Sequence, residues 1–261
     1  MSGRAVVGVS RVRAALVQTD PLPTAAENAE TVRAAIARHP ESLVVFPELA
    51  LNGYDLREVG RQALAPDGEE LRGVASAARE ARSRVVVGFA EAVAGGVANS
   101  AACFDGDGTL AGVYRKTHLF GGERRTFVPG DTVEPIVLGG TAIGVMICFD
   151  MEFPEVARTL VRRGAELLVT VSANMEPFGE DHDLLVRSRA LESHLPHVYV
   201  NRTGTQGRWV FVGGTEAVRA DGSVVARLDR EPGELEVEFE LDAGFDERVD
   251  YVAQLRPDLY A

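Results

Sequence analysis

The chain has 261 residues, with 27 basic against 39 acidic side chains and a net charge of −12. That balance argues against nucleic acid and anionic membrane as partners, because both are held through basic patches. Hydrophobic residues make up 46% and charged residues 25%, enough for a large core under an ordinary charged surface.

No stretch approaches the ~20 apolar residues of a membrane span. The first ten residues, MSGRAVVGVS, hold too short an apolar run for a signal peptide. Cys103 and Cys148 are the two cysteines. They cannot form a disulfide framework, and no CxxC or Cys/His cluster suggests a metal. The expectation is a cytoplasmic protein with no metal and no cofactor.

Arg11–Gln18 reads as a first strand. Thr24 caps a helix running to about His39, with Glu27 as its capping-box partner. Leu43–Phe46 is a short buried strand that runs into Pro47 and Glu48. After a turn at Asn52–Gly53–Tyr54, a helix is expected over Asp67 to Arg82, then a strand over Arg84–Glu91. Asn99–Asp105 and Leu110–Lys116 pair around Gly106–Asp107–Gly108, an Asp/Gly hairpin signal. Thr117 to Gly130 is polar and irregular.

The apolar run Ala142–Ile147 is a buried strand that ends at Cys148. Pro154 then opens a helix, as proline does in a first turn. Glu166–Ser172 is another buried strand, and Asp181 to His194 another helix. Val198–Arg202, Trp209–Val212, Glu216–Arg219, Val224–Leu228 and Glu234–Glu240 follow as strands. Strand and helix alternate first and strands dominate later, which fits one domain of two sheets with helices outside.

Three strand ends carry reactive groups: Glu48, Lys116 and Cys148. Taken singly, each has an ordinary reading: a loop carboxylate, a surface cation, a small buried thiol. Together they make chemical sense. A carboxylate can take the thiol's proton, the thiolate can attack a carbonyl or nitrile carbon, and an ammonium can hold the oxyanion. A cysteine between a strand end and a helix start is also expected to have a lowered pKa. His118, two residues beyond Lys116, would share its strand face.

The segments FPELALNGY, YRKTHLF and MICFDMEFPE, in this order, resemble the three signature segments of the nitrilase superfamily of carbon–nitrogen hydrolases. The resemblance runs from about Val12 to the tail. It implies an α/β fold, a four-layer α-β-β-α sandwich, as a single domain over 1–261. Residues 1–10 would be an N-terminal extension, and 245–261 a tail at the interface of a homodimer or larger homo-oligomer. It implies Glu48 as general base, Lys116 as oxyanion stabiliser and Cys148 as nucleophile. Glu123, in GERRTFVPG, would orient substrate and lysine, and the Phe149 N–H would share the oxyanion.

Many family members carry arginine where Glu152 stands. An acid there would suit a cationic substrate end, and CFDMEFPE and SANMEP resemble bacterial aliphatic amidases of the 5-aminopentanamidase type. The alternative for Glu152 is a local pair with Arg158 or Arg189. Asn174 and Met175 would line the pocket, or simply form a loop turn. Trp209, the single tryptophan, would be core or pocket wall. The expected substrate is a small amide. The rivals are a nitrile, an N-carbamoyl amino acid bound through Arg124 or Arg125, and a silent scaffold, which a missing site residue would mark. None is missing.

Overall fold

The computed structural model describes residues 11–241 and 246–259. The expected N-terminal extension, residue 245 and the last two residues of the tail lie outside that range. β1 (Arg11–Gln18) shows how the layers arise. Val12, Ala14 and Leu16 point to one face, and Ala15 and Val17 to the other, as a two-residue period requires.

The first sheet also contains β2 (Leu43–Val45), β3 (Arg84–Val93), β4 (Gly96–Phe104) and β5 (Leu110–Arg115). Its order is β14-β1-β2-β3-β4-β5, where β14 (Gly233–Glu240) comes from the far end of the chain. β1, β2 and β3 are parallel. β4 reverses and β5 reverses again, so β2 and β5 run the same way. The second sheet contains β6 (Ile136–Leu138), β7 (Thr141–Ile147), β8 (Leu167–Ser172), β9 (His197–Asn201), β12 (Glu216–Val218) and β13 (Val224–Arg227). Its order is β13-β12-β9-β8-β7-β6, with β7, β8 and β9 parallel. β10 (Thr203–Gln206) and β11 (Trp209–Val212) form a separate hairpin.

One core cluster lies between the sheets: Leu16, Val45 and Val86 from the first meet Val145, Val169 and Val200 from the second. Outside the first sheet, Val17, Val44 and Val87 pack on α1 (Ala25–Arg38) and α2 (Glu69–Ala81). Outside the second, Met146, Leu168 and Tyr199 pack on α3 (Pro154–Arg162) and α4 (Gly179–Ser193). The layers are therefore α-β-β-α. Fully burying each large apolar side chain contributes about 1.5–3 kcal/mol relative to exposure.

α1 begins as expected. Thr24 Oγ1 accepts the Glu27 N–H, and Glu27 Oε2 accepts the Thr24 N–H at 3.1 Å. Two strands lie beyond what the sequence pattern indicated, β6 and β10. Both are short, three and four residues, too few to display alternation. The tail turns back on the end of α4, where the His194 ring stacks on Tyr251 and its Nε2 lies 2.7 Å from the Val249 carbonyl oxygen. No helix among the described residues is long and apolar enough to cross a membrane.

Candidate active site

The reactive strand ends come from two facing sheets rather than one. β2 and β5 of the first sheet deliver Glu48 and Lys116, and β7 of the second delivers Cys148. The Glu48 N–H donates to the Ser172 carbonyl at the end of β8, 3.3 Å away, tying the two edges together. Gly88 on β3 allows the Glu48 loop to lie close. A Cβ there would fall 2.3 Å from the Pro47 oxygen and 2.7 Å from the Glu48 Cα.

Lys116 is 1% exposed, and Glu48 and Glu123 are fully buried. Lys116 Nζ donates to Glu48 Oε1 at 2.7 Å and to Glu123 Oε1 at 2.9 Å. Asn99 Nδ2 also donates to Glu48 Oε1, at 2.6 Å. The second Glu48 oxygen, Oε2, has no hydrogen-bond partner among the described residues, so it retains an unused proton-accepting position. Glu123 sits in a 3-10 turn, Gly121–Arg125. There its Oε1 accepts the Tyr54 hydroxyl at 2.7 Å, and its Oε2 accepts the Phe120 N–H at 2.8 Å.

Burial alone would lower the Lys116 pKa, but Glu123 and Glu48 outweigh it and hold the ammonium well above its ordinary value. Burial raises the Glu123 carboxyl, with Lys116 opposing and Glu48 reinforcing. Burial, then Glu123 and Glu48, push the Tyr54 phenol far up, so it stays a neutral donor.

Cys148 follows β7 at φ 46°, in the left-handed region, where a side chain is strained. The thiol differs from the sequence expectation. Cys148 opens a 3-10 turn, Cys148–Glu152, and the longer helix α3 starts only at Pro154, so its amino end is not at the sulfur. Burial and then Glu48 raise the Cys148 pKa, while Lys116, Ser172 and the Ala173 N–H oppose. At neutral pH the resting group is a thiol, and its proton needs an acceptor.

Asp150, two residues on, joins the Lys116 and Cys148 loops. Its Oδ1 accepts from the Thr117 N–H, the Thr117 hydroxyl and the His118 N–H at 3.1, 2.7 and 2.8 Å. Its Oδ2 accepts from the Tyr114 hydroxyl and the Ile147 N–H at 2.9 and 3.1 Å. A buried carboxylate with this many donors is well satisfied. His118 is held by Asp150 and stacks on Phe153 at 4.0 Å.

Phe149 lies edge-on to Phe120 and Phe153, and Phe120 edge-on to the exposed Phe178. These rings form an apolar patch beside the turn. Glu152 meets neither expected arginine through its carboxylate. Its Oε1 lies 3.2 Å from His182 Nε2, whereas Arg189 donates to the Glu152 backbone oxygen and Arg158 pairs with Glu192. Asn174 is buried, and its carboxamide is used inside its own loop, donating to the Phe178 oxygen and accepting the Met175 N–H. Met175 bridges to Phe211. Trp209 is half-buried beneath the Arg208 guanidinium. Arg124 folds its Nε onto the Leu119 oxygen at 3.2 Å. Tyr54, Asn99, Asp150 and Ser172 are the site residues that sequence reasoning missed. The Asp in Cys-Phe-Asp was the one signal close enough to find.

Among the described residues no group of three or more His, Cys, Asp or Glu side chains is arranged to hold a metal ion. The arrangement offers a proton acceptor, a fixed cation and a thiol at one place, which are the parts of nucleophilic acyl chemistry.

The family profile described as carbon-nitrogen hydrolase matches residues 13–242. An (R)-stereoselective amidase from Pseudomonas sp. is 38% identical over 215 residues, covering 80% of this chain and 77% of that protein. A human omega-amidase is 31% identical, covering 84% of each. Among solved structures, an amidase from Nesterenkonia sp. AN1 superposes with a TM-score of 0.85 at 29% identity, covering 99% of this chain and 98% of that one. That structure is of a Glu→Gln variant with the acetamide moiety of fluoroacetamide covalently added at its active-site cysteine.

Proposed function

The chain belongs to the carbon–nitrogen hydrolase family, and from that premise we propose that it hydrolyses small linear amides through a thioester on Cys148, releasing ammonia. The observation that carries this reading is the buried Glu48–Lys116–Glu123 cluster beside the turn that Cys148 opens.

Glu48 takes the thiol proton on its unpartnered oxygen. The sulfur attacks the amide carbon, and the Lys116 ammonium and the Phe149 N–H receive the charge that develops on oxygen. Glu123, braced by Tyr54, keeps Lys116 charged and in place. Glu48 returns its proton to the departing nitrogen, so ammonia leaves and the C–N bond breaks. Water, deprotonated by Glu48, then adds to the thioester carbon; the C–S bond breaks, the acid is freed, and Glu48 returns its proton to the Cys148 sulfur. The resting thiol fits this order, because an acid–base partner generates the nucleophile only when substrate is present.

The finer part of the proposal is an ω-amino amide such as 5-aminopentanamide. Glu152, one-third exposed at the end of the turn that Cys148 opens, would attract the distant ammonium, and the phenylalanine rings would cover the methylenes between. Pairing into a homodimer belongs to the same reading. Leu184 and Leu191 on α4 and Leu259 in the tail are exposed apolar side chains that a second copy would cover.

Ammonia release should be measured from 5-aminopentanamide, glutaramate, an N-carbamoyl amino acid and a nitrile, with wild type and Cys148→Ala. Release from the cationic amide, lost in the variant, supports the whole reading. Release from glutaramate alone removes the Glu152 role. Turnover of the nitrile alone overturns the amidase assignment.

A further inference from the structure

A row of hydrogen bonds leaves the site beneath α4. Glu152 Oε1 lies 3.2 Å from His182 Nε2, and His182 Nδ1 lies 3.0 Å from the Tyr199 hydroxyl. The Tyr199 hydroxyl lies 3.2 Å from Ser172 Oγ. The last pair of the β7–β8 ladder is Ile147 opposite Val171, so Cys148 and Ser172 are neighbours one step on, and Ser172 acts to lower the thiol pKa against the effect of burial. His182, Tyr199 and Ser172 are buried, whereas Glu152 reaches solvent. The row therefore leads from a solvent-reaching carboxylate to the residue beside the sulfur.

Its direction matters chemically. A serine hydroxyl donates one hydrogen. Ser172 Oγ already accepts the Asn174 N–H at 3.2 Å. If Tyr199 donates to Ser172, the serine hydrogen is available to the sulfur. If Tyr199 donates to His182 instead, the serine hydrogen turns toward Tyr199. His182, held between Glu152 and Tyr199, keeps the Tyr199 hydroxyl beside Ser172, where it donates to Ser172 Oγ. The charges around this row are Glu152 on the turn, Asp183 and Arg189 on α4, Glu216 on β12 and Arg227 on β13. Polar groups buried in a row support one another and are costly when one partner is removed.

We propose that Glu152 and His182 are positioning residues that turn the Tyr199 and Ser172 hydroxyls toward Cys148, so that Ser172 donates to the thiolate formed when Glu48 removes the proton. This rests on Cys148 being the nucleophile. His182, Tyr199 and Ser172 act on the sulfur and not on the substrate, so removing any of them changes the chemical step and leaves binding alone.

The test is Tyr199→Phe, which deletes one hydroxyl, together with His182→Leu and Ser172→Ala. Two rates are read: kcat and KM on an amide, and alkylation of Cys148 by iodoacetamide, located by peptide mass spectrometry to separate it from Cys103. Folding is checked by circular dichroism. Ser172→Ala should lower kcat about tenfold or more, the effect of one hydrogen bond to a charged group, and Tyr199→Phe and His182→Leu should lower it severalfold, in each case with KM unchanged and alkylation slowed by the same factor. Tyr199→Phe combined with Ser172→Ala should cost no more than Ser172→Ala alone, because both cut one row. A folded Tyr199→Phe protein with wild-type kcat and alkylation overturns the proposal, as does additive loss in the double variant. If the wild type hydrolyses no amide offered, the amidase reading fails, and the alkylation rates still decide the row.

Discussion

Lys116 and Glu48 form a buried salt bridge of 2.7 Å, and Glu123 gives the same lysine a second carboxylate partner. The lysine is thus a structural counter-ion as well as a chemical group. Lys116→Met leaves two buried carboxylates with no ammonium between them. Breaking a buried pair from one side costs about 3–5 kcal/mol, and loss of an oxyanion donor costs about 10²–10³ in rate. Thermal melting and ammonia release should both fall, and Glu123→Gln in the same protein should restore part of the melting temperature and none of the activity.

Cys148 is held in a conformation suited to glycine. A residue with a Cβ pays about 1–2 kcal/mol in the left-handed region. Cys148→Gly should therefore melt higher than Cys148→Ala, although both are inactive. Equal melting temperatures would mean that the turn relaxes in the variants.

Gly88 is the point where a single methyl group would reach the base. Its added Cβ would meet backbone atoms of Pro47, Glu48 and Leu49 at 2.3 to 2.7 Å. Gly88→Ala should cost roughly 1–3 kcal/mol by overpacking. It should also lower kcat about a hundredfold, since a shift of about 1 Å in a catalytic group has that effect. Denaturant midpoints and kcat measured on the same preparation check both.

Glu216 gives the fold a pH dependence. It is buried, neither of its oxygens has a hydrogen-bond partner among the described residues, and burial pushes its carboxyl up to about 7, Arg227 opposing. An acid with a raised folded pKa contributes stability fully below its unfolded pKa. That contribution is lost as pH climbs to the folded value. Stability should thus fall between the ordinary carboxyl range and pH 7 on this group's account. Glu216→Gln should stabilise the protein by roughly 1–3 kcal/mol at pH 8 and bring no such gain at pH 4. Urea titrations at the two pH values decide it.

Glu48, Lys116 and Cys148 were legible because each ends an apolar run, where a charged or reactive side chain stands out. The layers were legible because alternation in strands such as β1 marks two buried faces. Glu123 was reachable only through resemblance, since its turn has no periodic pattern. Tyr54, Asn99 and Asp150 were hidden because their importance lies in partners distant along the chain: Asn99 is 51 residues from Glu48 and Tyr54 is 69 from Glu123. Register and sheet packing decide such meetings. The Glu152 pairing was misjudged for the same reason. Arginines on α3 and α4 were near in sequence terms, yet the turn of α4 presents His182 to the carboxylate.

The pairing of β1 with β14 sets a condition on how the protein is born. Arg11 faces Glu240 and Arg13 faces Glu238 in an antiparallel ladder of eight residue pairs. During synthesis, β1 therefore emerges more than two hundred residues before its partner. Until then one border of the first sheet is a row of unsatisfied amides, the kind of edge to which other nascent chains can add. The arginines on β1 are the protection available in that interval, because their charge discourages a second copy of the same strand. The glutamates of β14 neutralise them once the ribosome has delivered the closing strand.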